Sequence, residues 1–283
     1  MGFWDICKMI LFGVIEGITE WLPVSNTGHL AVAGHYLGFS LYRESAVFRE
    51  VFVAGSTLGA SIAAALLFLP GNMLSVRRVE GDRVISRGRV VFWGIAVTAF
   101  LPTLLIGLLF AEEFSAFCFA PDSLRNLKLT VVTMIAGALL MIFGEFRNRR
   151  NAWLFEQTDE IPYRMLLLIG ITQIVCFVPG SSRFGVILLT AVALGVQRKA
   201  AVSTAVFLSI PALIISSAVT ILGRGGLLSG IEISAVMTVA ITAFFTSYFL
   251  LREIVKRLSR RELFRCAKYR IAFGVILLAF SIL

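Results

Sequence analysis

Charge is scarce in this chain. Asp, Glu, Lys and Arg make up 15% of the residues, while 58% are apolar, and a soluble domain ordinarily carries about 25% charged residues. The apolar residues gather in runs near the roughly 20 that a bilayer requires, so the solvent is lipid. No interval between these runs is long enough for a separate soluble domain, which leaves one membrane domain over residues 1–283. Cysteine is equally sparse. Cys7, Cys118, Cys176 and Cys266 form no CxxC and have no histidine at ligand spacing, which excludes a zinc site or a disulfide framework. The net charge of +9 would suit nucleic acid, but the basic residues flank the apolar runs, as on the cytoplasmic faces of membrane proteins. No nucleic-acid partner is expected. Glu16 and Glu20 interrupt the first apolar stretch, which argues against a cleaved leader. Ile6 stands where N-myristoylation wants Ser or Thr.

Six stretches are predicted to span: 47–69, 90–110, 127–144, 200–222, 231–251 and 269–283. Two others are broken. Residues 6–41 contain Glu16, Glu20 and Pro23-Val24-Ser25-Asn26-Thr27-Gly28-His29, and residues 165–194 repeat the design around Gln173 and Pro179-Gly180-Ser181-Ser182-Arg183. Each reads as a re-entrant helix pair whose polar tip is shielded by protein. The fold class is thus an all-α polytopic membrane protein. Each half is a re-entrant pair plus three transmembrane helices, with a first repeat over 1–146, a boundary near 147–163, and a second repeat over 163–283. Three spans is an odd number, so the second half is inverted. A weak local echo agrees: Gly17-Ile18-Thr19-Glu20 precedes one tip and Gly170-Ile171-Thr172-Gln173 the other. Loops 71–89 and 252–270 are arginine-rich and predicted cytoplasmic, whereas 111–125 carries Glu112, Glu113 and Asp122 and falls outside. The first pair then dips in from the outer face, the second from the cytoplasm, and the tips can meet near the midplane.

Glu16 and Glu20 are four apart, so their carboxylates share one helix face directed at the tip. Carboxylates in hydrocarbon are expensive, which favours a functional role over a buried ion pair with Arg183. Ser25, Asn26 and Thr27 precede a new helix, as Ser181 and Ser182 do in the second tip. Any one of them could simply cap that helix, but two facing helix starts form a phosphate-sized nest. The Arg183 fork suits phosphate oxygens; at rest it would pair with Glu16 or Glu20. His29 can serve as acid, base or nucleophile, and His35, further along, reads as structural. Carboxylates beside a diphosphate would repel it, so a divalent cation or protonation must intervene, and Mg²⁺ or Ca²⁺ bridging Glu16, Glu20 and phosphate is preferred.

At these residues the sequence resembles the bacterial undecaprenyl-diphosphate phosphatases, the bacitracin-resistance family that regenerates the lipid carrier of cell-wall synthesis. The run from Glu16 to Ser25 and Thr27-Gly28-His29 are similar to the family's first motif. Gly34-His35-Tyr36-Leu37-Gly38-Phe39, Gly55-Ser56, Pro102-Thr103, Gly107-Leu108-Leu109-Phe110, Tyr163-Arg164 and Pro179-Gly180-Ser181-Ser182-Arg183 follow in family order. The resemblance implies an inner-membrane enzyme with its site open to the outer face, hydrolysing the terminal phosphate of a polyprenyl diphosphate lipid. It implies Glu16 and Glu20 as metal or acid-base carboxylates and His29 as a catalytic imidazole. Ser182 and Arg183 would be phosphate ligands, with Ser25, Asn26 and Thr27 lining the pocket. Self-association into a homodimer is compatible with such a chain. Three positions depart from the family: Asn26 stands where a serine is usual, Phe184 replaces a serine after the arginine, and Val53 replaces a glutamine. The missing serine leaves open whether hydrolysis uses His29, Thr27 or water, or whether a diverged member only binds or translocates polyprenyl phosphate.

Overall fold

In the computed structural model the described residues are 2–38, 42, 45–72, 76–79, 82–85, 87–110, 124–147, 153–156, 158–257 and 260–282. Among the described residues ten α-helices carry the fold. In chain order they are α1 (Phe3–Thr19), α2 (Asn26–Leu37), α3 (Ala46–Asn72), α4 (Arg87–Leu109), α5 (Leu124–Arg147), α6 (Tyr163–Ile171), α7 (Arg183–Ala193), α8 (Arg198–Arg224), α9 (Gly230–Arg257) and α10 (Arg260–Ile282). A six-residue 3-10 segment, Thr172–Phe177, continues α6 toward the second tip. The loop 71–89 holds a small antiparallel hairpin, β1 (Val76–Val79) and β2 (Asp82–Ile85), with Val76 opposite Ile85. Most of the acidic loop 111–125 lies outside the described residues.

Each predicted span is a helix, and each predicted re-entrant stretch is two short helices around a polar tip. The last helix differs from expectation. It begins at Arg260, not 269, because the basic residues 260–268 have good helix propensity and continue the apolar helix below them. Among the described residues four helices are long and apolar enough to cross a membrane: Ala46–Phe68, Lys128–Phe146, Arg198–Leu227 and Gly230–Ile254. The outward surface is apolar where a soluble protein's would be charged. Leu140, Phe143, Phe245, Phe249 and Leu222 are all exposed, a patch that only lipid contact makes reasonable.

Two ion pairs mark the two ends of the bundle. Arg224 binds Glu50 at 2.9 Å, putting the start of α3 beside the end of α8. Arg198 binds Glu145 through two guanidinium nitrogens, the closer at 2.6 Å, putting the end of α5 beside the start of α8. The first pair belongs to the Glu50 end, since Met9, Phe12, Leu30 and Ala33 pack with Tyr42, Phe48 and Phe52. The second belongs to the Glu145 end, where Ile161 and Val196 share a core with Ala200 and Ala201.

Helix partners alternate between the halves. The first arm of each pair packs on the fourth element of the other series, α1 on α9 and α6 on α4. The third elements pack together, α3 on α8, and so do the fifth, α5 on α10. Small residues permit the tightest of these approaches. A Cβ on Gly17 would meet Thr246 at 2.7 Å, and one on Gly59 would run into the Ala240 carbonyl. Thus α1 and α3 lie in close backbone contact with the same rod, as small residues allow between membrane helices.

Candidate active site

Pro23 ends the first arm. It disfavours helix at the residue before it, and α1 gives way at Thr19, with Glu20 still helical at the cap and its N–H bonded to the Glu16 carbonyl at 3.0 Å. That retained turn keeps the carboxylates four apart on one face, as predicted. Both are buried. Glu16 Oε1 accepts from the Thr57 hydroxyl at 2.6 Å. Its Oε2 makes no hydrogen bond among the described residues, although the Asn26 amide lies close to this carboxylate too. Glu20 Oε2 accepts from Asn26 Nδ2.

Ser25 caps α2. It is the one non-glycine with positive φ among the described residues, at 75°, and its Oγ accepts from the Gly28 N–H at 3.3 Å. Such a conformation costs on the order of 1–3 kcal/mol and persists where surrounding contacts impose it. It begins α2 where Thr27 meets the second tip. Ser182 caps α7 in the same way, accepting from Gly185 N–H at 3.1 Å, and donates to the Leu22 carbonyl at 3.3 Å. Gly180, at φ 87°, lies so close to the Thr130 carbonyl that no Cβ would fit. Its N–H donates to Thr27 Oγ1 at 3.2 Å. That bond joins the two tips directly.

Arg183 does not use a glutamate as its hydrogen-bond partner, contrary to the sequence expectation. Its Nη1 donates to Gln173 Oε1 at 3.0 Å. The neutral amide holds the guanidinium without cancelling it, so the positive charge stays available for an anion. His29 is buried and occupied at both nitrogens: Nδ1 to the Ser25 carbonyl at 2.7 Å and Nε2 to the Tyr269 hydroxyl at 2.7 Å. A carbonyl only accepts, so Nδ1 carries the proton and Nε2 accepts from Tyr269. The imidazole is stacked on Phe273 at 4.4 Å. His35, by contrast, is in contact with Tyr36, away from the tips.

A residue at the boundary of the basic loop and the last predicted span proves central. Arg270 on α10 is buried and donates to four backbone carbonyls: Pro23 at 3.2 Å, Gly180 at 3.0 Å, Met134 at 3.0 Å and Thr133 at 3.4 Å. A single guanidinium thereby clamps both tips to α5. Gly137 leaves room for it. By sequence Arg270 falls in both the basic loop 252–270 and the start of the span 269–283, and nothing there shows that it is buried among carbonyls. Thr57 and Tyr269 were also missed, because their partners are distant in sequence.

Two buried carboxylates, hydroxyls and carbonyls are hard oxygen donors, fitting Mg²⁺ or Ca²⁺ in kind. Among the described residues no group of three His, Cys, Asp or Glu is assembled. Such an ion would need phosphate oxygens to complete its shell.

The family described as bacitracin resistance protein BacA matches residues 9–276. This chain belongs to the BacA family. Relatives include undecaprenyl-diphosphatase 1 of Chromobacterium violaceum, 31% identical over 272 residues that cover 95% of this chain and 94% of that protein. Undecaprenyl-diphosphatase 2 of Shouchella clausii is 30% identical over 278 residues, 98% of each. Undecaprenyl-diphosphatase of Enterococcus faecalis is 27% identical over 278 residues, again 98% of each. Against the BacA family pattern, the three departures sit differently. Asn26 is in the site, accepting from Thr19 Oγ1 at 3.0 Å while it donates to Glu20. Phe184 is buried in the main core with Trp21, and Val53 packs against the Phe12–Phe52 cluster. Only Asn26 touches a carboxylate.

Proposed function

We propose that this chain hydrolyses undecaprenyl diphosphate to undecaprenyl phosphate and inorganic phosphate, recycling the lipid carrier of the cell wall. The observation that carries the reading is the joining of the tips at Thr27 and Gly180, which sets Glu16 and Glu20 opposite Ser182 and Arg183. The names of the BacA relatives support the substrate. Arg183 and the N-terminal N–H groups of α2 and α7 hold the terminal phosphate. Mg²⁺ or Ca²⁺, held by Glu16 and Glu20, would neutralise the diphosphate charge when bound.

The attacking group is a water molecule. Asn26 offers no hydroxyl, Thr27 Oγ1 is engaged by Gly180, and His29 Nε2 is covered by Tyr269. Water oxygen bonds to the terminal phosphorus as the bond to the bridging oxygen breaks. The water proton passes to a glutamate carboxylate, and undecaprenyl phosphate departs with the bridging oxygen. The open Oε2 of Glu16 suits that acceptor role. His29 orients the tip through the Ser25 carbonyl.

The inverted relation of 1–146 and 163–283 is supported by the reciprocal partner choice of α1 with α9 and α6 with α4. An outer-facing site follows from loop charge. In a cysteine-free background, a thiol at exposed Ser229 should react with impermeant reagent and one at exposed Glu156 should not; labelling of both from one side would refute the topology. The decisive assay is phosphate release from undecaprenyl diphosphate by purified protein, with and without chelator. Folded protein that releases none with added Mg²⁺ or Ca²⁺ would sink the assignment.

A further inference from the structure

Among the described residues, several buried polar atoms have no hydrogen-bond partner, and two of them belong to site side chains beside Asn26 and Arg183. Glu16 Oε2 is an acceptor without a donor, and Gln173 Nε2 is a donor without an acceptor. Gln173 is fully buried. Its amide cannot be turned the other way to cure this, because Arg183 Nη1 only donates and so requires Oε1 on its side. A buried N–H₂ without a partner costs about 1–3 kcal/mol, and native proteins keep few of them.

Gln173 also occupies an informative place in the sequence. Gly170-Ile171-Thr172-Gln173 echoes Gly17-Ile18-Thr19-Glu20, so Gln173 stands where the first half has Glu20. A carboxylate there would neutralise Arg183 and repel phosphate; the amide presents an acceptor to the guanidinium and a donor to the anion. Resting on the diphosphatase reading, we propose that Gln173 is a further substrate-binding residue, whose Nε2 donates to a non-bridging oxygen of the terminal phosphate while Oε1 fixes Arg183. The phosphate thereby receives donors from two side chains that hold each other, which sets the rotation of the phosphate group as well as its position.

The bland alternative is that Gln173 only steadies Arg183. A double-mutant cycle separates the two. KM for undecaprenyl diphosphate and the inhibition constant for inorganic diphosphate are measured for wild type, Gln173→Met, Arg183→Lys and the double variant, with folding checked by size exclusion and melting in detergent. Gln173→Met should raise both constants about tenfold, as loss of one hydrogen bond to a charged group predicts, and should raise them again in the Arg183→Lys background. Wild-type constants in Gln173→Met, or no added effect on Arg183→Lys, would overturn the proposal. Gln173→Glu, which keeps the shape and the Arg183 contact but loses the donor, serves if the methionine variant fails to fold; it too should weaken inorganic diphosphate, and unaltered inhibition would count against the idea. A wild type that hydrolyses nothing would instead remove the functional reading itself.

Discussion

The two tips are built alike and charged oppositely. Each has a proline, a capping serine and a new helix, but the first brings Glu16 and Glu20 and the second brings Gln173 and Arg183. The same capped helix start therefore occurs twice, and the tips differ in the charge of their side chains. In the proposed reaction the first tip would accept a proton or hold a cation, and the second would bind the anion. Neither tip could do both, since two carboxylates next to their own arginine would form a closed ion pair with nothing left for substrate.

The sharpest way to break this comparison is to neutralise the first tip. Glu16→Gln and Glu20→Gln hold their shape, so the protein should fold and insert, while turnover falls by about 10²–10⁴, the usual contribution of acid-base catalysis. Near-normal phosphate release in both variants would make the carboxylates structural.

A middle-sized effect should come from loosening the joint between the tips. Arg270→Met removes four hydrogen bonds from a charged donor, each worth about 1.5–3 kcal/mol. The melting temperature in detergent should drop clearly, and turnover should fall on the order of tenfold or more as the tips separate. Unchanged melting would show that the carbonyls find other donors.

The smallest effect tests Asn26. With water as the attacking group, Asn26→Ala loses one hydrogen bond to a carboxylate, about 1.5–3 kcal/mol, and measurable turnover remains. If the wild type proves inert and Asn26→Ser creates activity, attack by serine is the correct chemistry and the present chain is a relative that binds or translocates polyprenyl phosphate.

The helices were legible because hydropathy sets span length, and the tips because charge, proline and small polar residues interrupt it. Glu16, Glu20, His29, Ser182 and Arg183 stand out that way, and the structure sets them around the two tips. Arg270 does not: a basic residue at a helix mouth and one buried among carbonyls look identical in sequence. The partner of Arg183 was misjudged for a related reason. Opposite charges in an apolar run invite pairing, yet Gln173, ten residues before Arg183, was better placed. His29 reads as reactive from its type, whereas Tyr269, 240 positions away, decides that Nε2 is covered. The β1–β2 hairpin was hidden by the arginines around it.

Arg270 grips main-chain oxygens and no side chain in the tips it joins. Its hold at Pro23 and Gly180 is therefore blind to the identity of Asn26 or Phe184, residues a few positions along. That gives the reacting surface latitude to drift: a serine can become an asparagine, or a serine a phenylalanine, without disturbing the hinge on which alignment depends. Divergence within such a protein should accumulate in what the tips display, while the lock behind them stays put.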